Sequence, residues 1–333
     1  MPVLVDALQP LRDLAEKNFI TSEQKLTQAA RRKGLAVNPE MARIALRGNV
    51  GRQVFARPPR SVGQSAAEQP GSRLQADLID FSKNTKSKGY AAVVTDVFTR
   101  KTWAEPLQTK DAASVKAATE RILEKVPDVP NPVISTDQGK EFFSIDSIPG
   151  VIHRTKVNGE VNSIAVVDRR IALLKQYLAR DAVKGNSDWK TKLEPAVEAL
   201  NENYTAAVHG SPNDVKLEDG NVQGVLALQD QARHFAHNKD VVDEKKANLE
   251  LAGAFRPPVS SGGRSFKPTY GEVRQLAGVE PGARFITDTQ GRKSLLSLAQ
   301  PVDKTSAEAQ GSLTLKTQFA RVRGYASRRP ACP

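Results

Sequence analysis

The order of the predicted elements between residues 74 and 137 is the feature that most limits the possible folds. Three runs with strand character are separated by short polar turns, which predicts an antiparallel meander. These runs are residues 74–81, 90–98 and 102–108. An amphipathic helix at 111–126, with Asp111 as its N-cap, and a short apolar strand at 132–137 come next. Because a crossover helix places the strand that follows it parallel to one already in the sheet, the segment is predicted to be a mixed α/β sheet.

The segments on either side of this sheet predict further helices and domains. Helical periodicity is present at 164–181 and 188–204, and Asn38 is a predicted N-cap within a basic helical N-terminal segment. Stretches rich in Pro, Gly and Ser without periodicity are typical of linkers and set the domain bounds. We expect a helical basic N-terminal domain at 1–55, a linker at 56–73, the α/β core at 74–216, a helical connector and hinge at 217–260, a small β-barrel-like domain at 261–303 and a basic flexible tail at 304–333.

Charge and apolar content restrict the class of partner. Lys and Arg outnumber Asp and Glu by 49 to 37, which gives a net charge of +12 and favours a polyanionic partner such as nucleic acid. No apolar run approaches the ~18 to 20 residues of a membrane span, so we expect no membrane partner. Asp6 lies where a signal peptide carries positive charge, and Cys332 is the one cysteine of the chain. We therefore expect no export signal and a reducing compartment.

Three aspartates occupy positions where an acid is unusual in a packed α/β unit. Asp77 is in the middle of the first strand, on the same face as Gln75 and Ile79, and Asp137 ends the buried strand. Asp168 interrupts the apolar run of an amphipathic helix, where a buried carboxylate needs a cation, a basic group or a wet cleft. Three acids that converge from two strands and a helix are what a two-metal phosphoryl-transfer site requires, because magnesium prefers hard oxygen ligands.

Five segments, in this order, resemble the catalytic core of retroviral-type integrases. They are LQADLIDF, TDVFTRKTWAEPLQTKDAASV, STDQGKEF, AVVDRRIALLK and ALNENYTAAVHGSPNDV, and together they cover about residues 74–215. Within that group, TDQGKEF and GYAAVVTDVFTRK are most similar to the integrases of Polinton (Maverick) transposons. The resemblance implies an RNase H-like mixed five-stranded sheet flanked by helices. It also implies an N-terminal helical domain and a C-terminal β-barrel-like domain.

The resemblance assigns the acids to catalytic and metal-binding positions. Asp77 and Asp137 match the first two catalytic aspartates of the family, and Asp168 occupies the position of a family glutamate. The interval 168 − 137 = 31 is shorter than usual in the family, and an aspartate reaches one methylene less than a glutamate. Glu160 is the one nearby substitute, but it precedes the helix and lies off the motif. The implied cofactor is Mg²⁺ or Mn²⁺, held by Asp77, Asp137 and Asp168.

Four basic residues are candidates for DNA contacts. Lys175 follows Asp168 by seven residues and therefore shares its helix face, and the family uses a lysine there to hold the DNA end. Lys156, Lys140 and Arg169 are predicted to supply further phosphate contacts around the cleft.

Other polar residues receive structural interpretations. Asp80 and Asp96 fit the family pattern but are expected to be structural. His234 and His237 are expected to be ordinary surface histidines, because a structural zinc site needs four ligands and no cysteine is near them. The His/Cys zinc module found at the N-terminus of many integrases is absent, since no His or Cys precedes His153.

These residues favour a DNA integrase that trims a transposon or retroelement end and joins the new 3′ hydroxyl to target DNA. The alternative is a catalytically decayed or co-opted integrase that binds DNA without catalysis, and a structure-specific nuclease is a third, weaker reading. The resemblance further implies a homo-oligomer that binds element ends and target DNA, and a nuclear location if the source is eukaryotic.

Overall fold

The computed structural model describes residues 2–47, 54, 63–83, 87–157, 163–183, 188–259, 269–280 and 284–303. The chain forms two compact units, one made of Met1–Arg60 with Val242–Pro333 and the other of Ser61–Val241. The predicted tail and Glu160 lie outside the described residues. The predicted domain bounds stay predictions.

Three short helices form the N-terminal part of the first unit, and they bury one apolar cluster. They are α1 (Pro2–Lys17), α2 (Glu23–Arg32) and α3 (Pro39–Arg47). Leu11, Leu26 and Leu46 lie in that cluster, fully or almost fully buried. The predicted cap at Asn38 is confirmed, because its Oδ1 accepts a hydrogen bond from Met41 N at 2.8 Å.

A mixed five-stranded sheet forms the centre of the second unit, in the order β3-β2-β1-β4-β5. Its strands are β1 (Arg73–Asp80), β2 (Tyr90–Asp96), β3 (Thr102–Leu107), β4 (Val133–Thr136) and β5 (Ile152–Thr155). The first three strands pair antiparallel, while β4 runs parallel to β1 and β5 runs parallel to β4. The predicted meander and the predicted parallel strand are therefore both confirmed.

Helices cover both faces of this sheet because successive side chains of a strand point to opposite sides. Helix α4 (Ala112–Leu123) packs on the face that carries Leu74 and Ala76 of β1. Helices α5 (Ala165–Val183) and α6 (Trp189–Glu202) pack on the face that carries Ile79. Asp111 caps α4 as predicted, since Ser114 N donates to its Oδ1 at 2.9 Å. Asp77 has the parity of Ile79 and so belongs to the α5 face.

Two elements between β4 and α5 were not assigned from the sequence. A 3-10 helix spans Lys140–Ser147, and the fifth strand, β5, follows it. Lys156 N donates to Thr136 O at 2.8 Å, so the chain beyond β5 stays beside the end of β4. Both elements therefore surround the segment that carries Asp137.

A long helix, α7 (Val222–Ala252), precedes a second five-stranded sheet. This sheet is antiparallel, in the order β10-β6-β7-β8-β9, and forms a curled half-barrel. Its strands are β6 (Gly253–Arg256), β7 (Arg274–Val279), β8 (Phe285–Asp288), β9 (Lys293–Leu295) and β10 (Gln300–Asp303). The predicted barrel-like C-terminal part is confirmed, although its first strand precedes residue 261. Among the helices described, none is long and apolar enough to span a membrane.

Candidate active site

Asp77 is in the central strand β1, on the face that α5 covers. It is partly buried, and its Oδ1 accepts a hydrogen bond from Leu78 N at 2.8 Å. The strand on one side of it is β2, where Asp77 pairs with Val93, and the strand on the other side is β4. Asp77 therefore lies beside β4, which Asp137 follows, and below α5, which carries Asp168.

Gln75 fixes the start of α5 against the same strand. Its Oε1 accepts hydrogen bonds from Val166 N at 2.9 Å and Val167 N at 3.1 Å, and its Nε2 donates to Ser163 O at 3.0 Å. The first N–H groups of a helix have no acceptor within the helix, so this fully buried side chain supplies one. Gln75 was predicted to share the face of Asp77, but its bonds to the start of α5 were not predicted. The available signal was a glutamine in an apolar strand, which needs partners when it is buried.

Asp137 directly follows β4, where the strand opens into a turn. Gly139 N donates to Asp137 Oδ1 at 2.8 Å, which fixes one carboxylate oxygen. A Cβ added at Gly139 would lie 2.8 Å from Cδ of Glu141 and 3.0 Å from Oδ1 of Asp137. A side chain at position 139 would therefore crowd the acid.

Asp168 lies in the first turn of α5 and is exposed, beside the buried Val167. Its backbone N–H donates to Ile164 O at 3.1 Å, so the residue is within the regular helix. Because Gln75 holds the residues just before it, Asp168 is attached to the same strand that carries Asp77.

The three carboxylates influence one another electrostatically. The pKa of Asp77 is raised to about 6, mainly by burial and also by the negative charges of Asp137 and Asp168, while the Leu78 N–H and Lys175 act to lower it. Although the side chain of Asp168 is exposed, the protein around it removes enough water to raise its pKa, which Lys156 lowers and Asp137 raises. Three acids from two strands and a helix thus share one region, and their mutual repulsion favours a cation there.

The predicted basic residues lie on elements that border this region. The positive charges of Lys175 and Lys156 act on Asp77 and Asp168, respectively. Lys140 is exposed at the start of the 3-10 helix, and Arg169 is exposed on α5. Their roles in DNA binding stay predictions.

Arg170 lies two residues after Asp168 on α5, but its side chain is bonded to other elements. Its Nε donates to Thr102 Oγ1 at 3.0 Å, and its Nη2 donates to Leu200 O at 3.0 Å. Burial lowers its pKa to about 10. Arg170 therefore joins α5 to β3 and α6 and leaves Asp168 facing solvent.

The acids interpreted as structural have local partners. Asp96 is 1% exposed and accepts hydrogen bonds from Thr99 Oγ1 at 2.7 Å, Thr99 N at 3.0 Å and Gly71 N at 3.2 Å. Asp80 is exposed and accepts from Ser82 N at 2.7 Å. Asp96 holds the turn between β2 and β3, and Asp80 holds the turn after β1.

The three acids offer the kind of ligand that a divalent cation requires. Carboxylate oxygens are the ligands that magnesium and manganese prefer, and the negative charges of neighbouring acids raise the pKa values of Asp77 and Asp168. In the part of the chain that the structure describes, however, no three His, Cys, Asp or Glu side chains are gathered closely enough to hold a metal ion. The chemistry of the three acids fits a divalent cation, and their side chains do not form a ready-made cage. His234 and His237 belong to no such group either.

A known domain family matches the sequence around this site. Residues 67–159 match the family model described as "Integrase core domain". The range contains Asp77, Asp137, Lys140 and Lys156 and ends before α5, so Asp168 lies outside it. The predicted resemblance to a retroviral-type integrase core is confirmed over this range, and the Polinton/Maverick assignment stays a prediction. No curated protein sequence matches the chain.

Solved structures share the fold at low sequence identity. One chain of the simian T-cell lymphotropic virus intasome in complex with PP2A regulatory subunit B56 gamma is 13% identical, with a TM-score of 0.59. The match covers 88% of this chain and 98% of that one, which confirms the RNase H-like fold class. The catalytic core domain of HTLV-2 integrase, in complex with magnesium, is 17% identical, with a TM-score of 0.36. That match covers 43% of this chain and 94% of the HTLV-2 chain. The BIV integrase catalytic core domain is 17% identical, covering 44% and 94%, with a TM-score of 0.37.

Proposed function

We propose that this protein is a DNA integrase that trims the end of a mobile element and transfers the new 3′ end to target DNA. The observation that carries the proposal is the shared electrostatic region of Asp77, Asp137 and Asp168, on β1, after β4 and on α5. Two of these acids lie within the range that matches an integrase core domain. The same topology places helices on both faces of the sheet.

Each polar residue of the region has a proposed role. Asp77, Asp137 and Asp168 would hold Mg²⁺ or Mn²⁺, which would supply positive charge for the oxygens of the reacting phosphodiester. Lys175 would hold the phosphates of the element end, because its ammonium already lies in the field of Asp77. Lys156, Lys140 and Arg169 would contact flanking phosphates and so fix the register of the DNA.

The decisive experiment uses the purified full chain, Mg²⁺ and labelled duplexes that carry candidate element ends. We expect nicked and joined products from the wild type and at least a hundredfold less of both from Asp77→Asn. The matched control is Asp80→Asn, which changes an exposed acid of the same strand on the opposite face. Absence of nicking and joining by the wild type, or undiminished joining by Asp77→Asn, would contradict the proposal.

A second candidate function is DNA binding by a catalytically decayed integrase. It is favoured by Asp168, which stands where the family has a glutamate, and by the absence of a gathered three-ligand group among the described residues. The variant Asp168→Glu separates the two functions. Activity that appears or rises greatly in Asp168→Glu supports decay, whereas loss of an existing activity shows that Asp168 is a working ligand. Joined products, as opposed to cleavage alone, separate an integrase from a nuclease.

The proposal extends to the segments that flank the α/β core, to assembly and to cellular location. We propose that the N-terminal helices, the half-barrel sheet and the basic tail grip phosphates, in line with the net charge of +12. The structurally similar chain comes from a viral intasome, which supports assembly of several copies on DNA. Size measurement with and without DNA tests this assembly. A nuclear location is proposed if the source is eukaryotic, and microscopy of the tagged full chain tests it.

A further inference from the structure

His153 is a buried histidine of β5 that bridges two polar groups near the candidate site. Its side chain is 1% exposed. Nε2 lies 2.8 Å from Thr136 Oγ1, and Nδ1 lies 2.8 Å from Asp146 Oδ1. Asp146 belongs to the 3-10 helix, and Thr136 is the last residue of β4. One imidazole ring thus joins the edge strand, the 3-10 helix and the residue just before Asp137.

The chain of hydrogen bonds continues from Thr136 into the backbone of Asp137. Thr136 Oγ1 donates to Asp137 O at 2.9 Å. A hydroxyl has one hydrogen, so a hydroxyl that donates to Asp137 O can only accept from His153. In this arrangement His153 donates from Nε2 to Thr136 and, because a carboxylate oxygen accepts, from Nδ1 to Asp146, so both ring nitrogens carry a hydrogen. The direction of these bonds runs from His153 through Thr136 to Asp137.

Asp137 is held from several sides by this arrangement. Gly139 N donates to Oδ1 of Asp137, and Lys156 N donates to the carbonyl of Thr136. The hydroxyl of Thr136 donates to the backbone carbonyl of Asp137. Of these contacts, the last depends on a side chain that is itself fixed by a buried partner, His153. The partner in turn is anchored by Asp146 of the 3-10 helix, whose side chain is 68% exposed.

We propose that His153 is a positioning residue that, through Thr136, fixes the peptide presenting the Asp137 carboxylate. The inference deepens the proposed function, on which it rests, by naming the residues that orient one of its three acids. Residues that orient a metal-binding side chain commonly affect metal affinity by 10- to 100-fold without touching the metal. A histidine that only fills space in the edge strand would not affect Asp137 in this way.

The test compares variants that differ in one hydrogen-bonding group. Thr136→Val removes the hydroxyl at nearly constant volume, and Thr136→Ser is its matched control because it keeps the hydroxyl. His153→Leu removes the ring donor, and His153→Gln keeps an N–H donor within reach of position 136. Thermal unfolding checks that each variant is folded, and the Thr136 pair keeps the test valid if His153→Leu fails to fold.

Two measurements that do not depend on catalysis decide the outcome. The first is the Kd for Mn²⁺ without DNA, which we expect to rise about tenfold in Thr136→Val and in His153→Leu. The double variant, which combines Thr136→Val and His153→Leu, should bind Mn²⁺ no more weakly than either single variant. The Kd values of Thr136→Ser and His153→Gln should stay within about threefold of the wild-type value. The second is NMR of the metal-free protein. It should show a hydrogen on Nε2 of His153 and a shifted carboxyl resonance of Asp137 in Thr136→Val.

The outcomes separate this inference from the proposed function. Suppose that the Kd values for Mn²⁺ of the wild type and the variants follow the expected pattern, but the wild type joins no DNA. This result would contradict the integrase proposal and leave the positioning role intact. An unchanged Asp137 resonance in Thr136→Val, or a His153 without hydrogen on Nε2, would overturn the positioning role. Because the NMR measurement uses the metal-free protein, it decides even if the wild type binds no Mn²⁺.

Discussion

At the scale of single residues, Asp77 combines a proposed function with an unfavourable environment. Its pKa is raised from 3.8 to about 6, by burial first and by the charges of Asp137 and Asp168 after that. The unfolded chain loses this proton near pH 4, while the folded protein keeps it to about pH 6. Stability should therefore fall as the pH rises through this window and stay lowered above it.

The variant Asp77→Asn should remove this pH dependence. We expect its free energy of unfolding at pH 7 to exceed that of the wild type by on the order of 2 kcal/mol, allowing for partial solvent screening. The difference should vanish toward pH 4, because both forms of the residue are then neutral. Urea denaturation of the metal-free protein between pH 4 and 7.5 measures it, with Asp80→Asn as the control. Equal stability of Asp77→Asn and wild type at pH 7 would contradict the prediction.

At the scale of elements, the position of α5 depends on a side chain of β1. The variant Gln75→Ala leaves the N–H groups of Val166 and Val167 without their buried acceptor. We expect a loss of about 2 kcal/mol in the free energy of unfolding and, under the proposed function, a marked loss of DNA joining. Gln176→Ala, on the exposed side of the same helix, is the control and should change neither. A Gln75→Ala protein as stable as the wild type would show that α5 is held by other contacts.

Some strands and helices could be predicted from the sequence and others could not. The strands β1 to β4 and the helix α4 were predicted because each has its own signal, such as the alternation in β1 or the Asp111 cap. The strand β5, with sequence IHRT, has four residues and no apolar alternation, and its pairing with β4 determines its conformation. The strand β6 was assigned to the hinge for the same reason, since its four residues are defined by pairing with β7 and β10.

The candidate site was partly accessible to sequence reasoning. The motifs around Asp77 and Asp137 identified these acids, and periodicity placed Lys175 on the helix face of Asp168. The contributions of Gln75 and His153 could not be predicted, because each depends on partners distant in sequence, at 163–167 and at 136 and 146. Distances across the sheet are set by packing, which a single sequence does not report.

At the scale of the whole molecule, the net charge of +12 predicts DNA binding that weakens steeply with salt. We expect a linear fall of log K with log salt, and a slope about 0.9 less steep in Lys175→Ala if this lysine contacts one phosphate. Fluorescence anisotropy with a labelled duplex at several salt concentrations measures both slopes. The control is Lys116→Ala, which lies on α4, on the opposite face of the sheet. Equal slopes for the Lys175 and Lys116 variants would exclude the proposed contact.

The buried amide at position 75 has a consequence for how such proteins can diverge. Because a side chain of the central strand locates the start of α5, the number of residues in the connection before that helix need not set the location of Asp168. Insertions or deletions between β5 and α5 would then change the length of the connection but not the positions of the two elements that it joins. The interval of 31 residues between Asp137 and Asp168 therefore need not by itself determine where Asp168 lies.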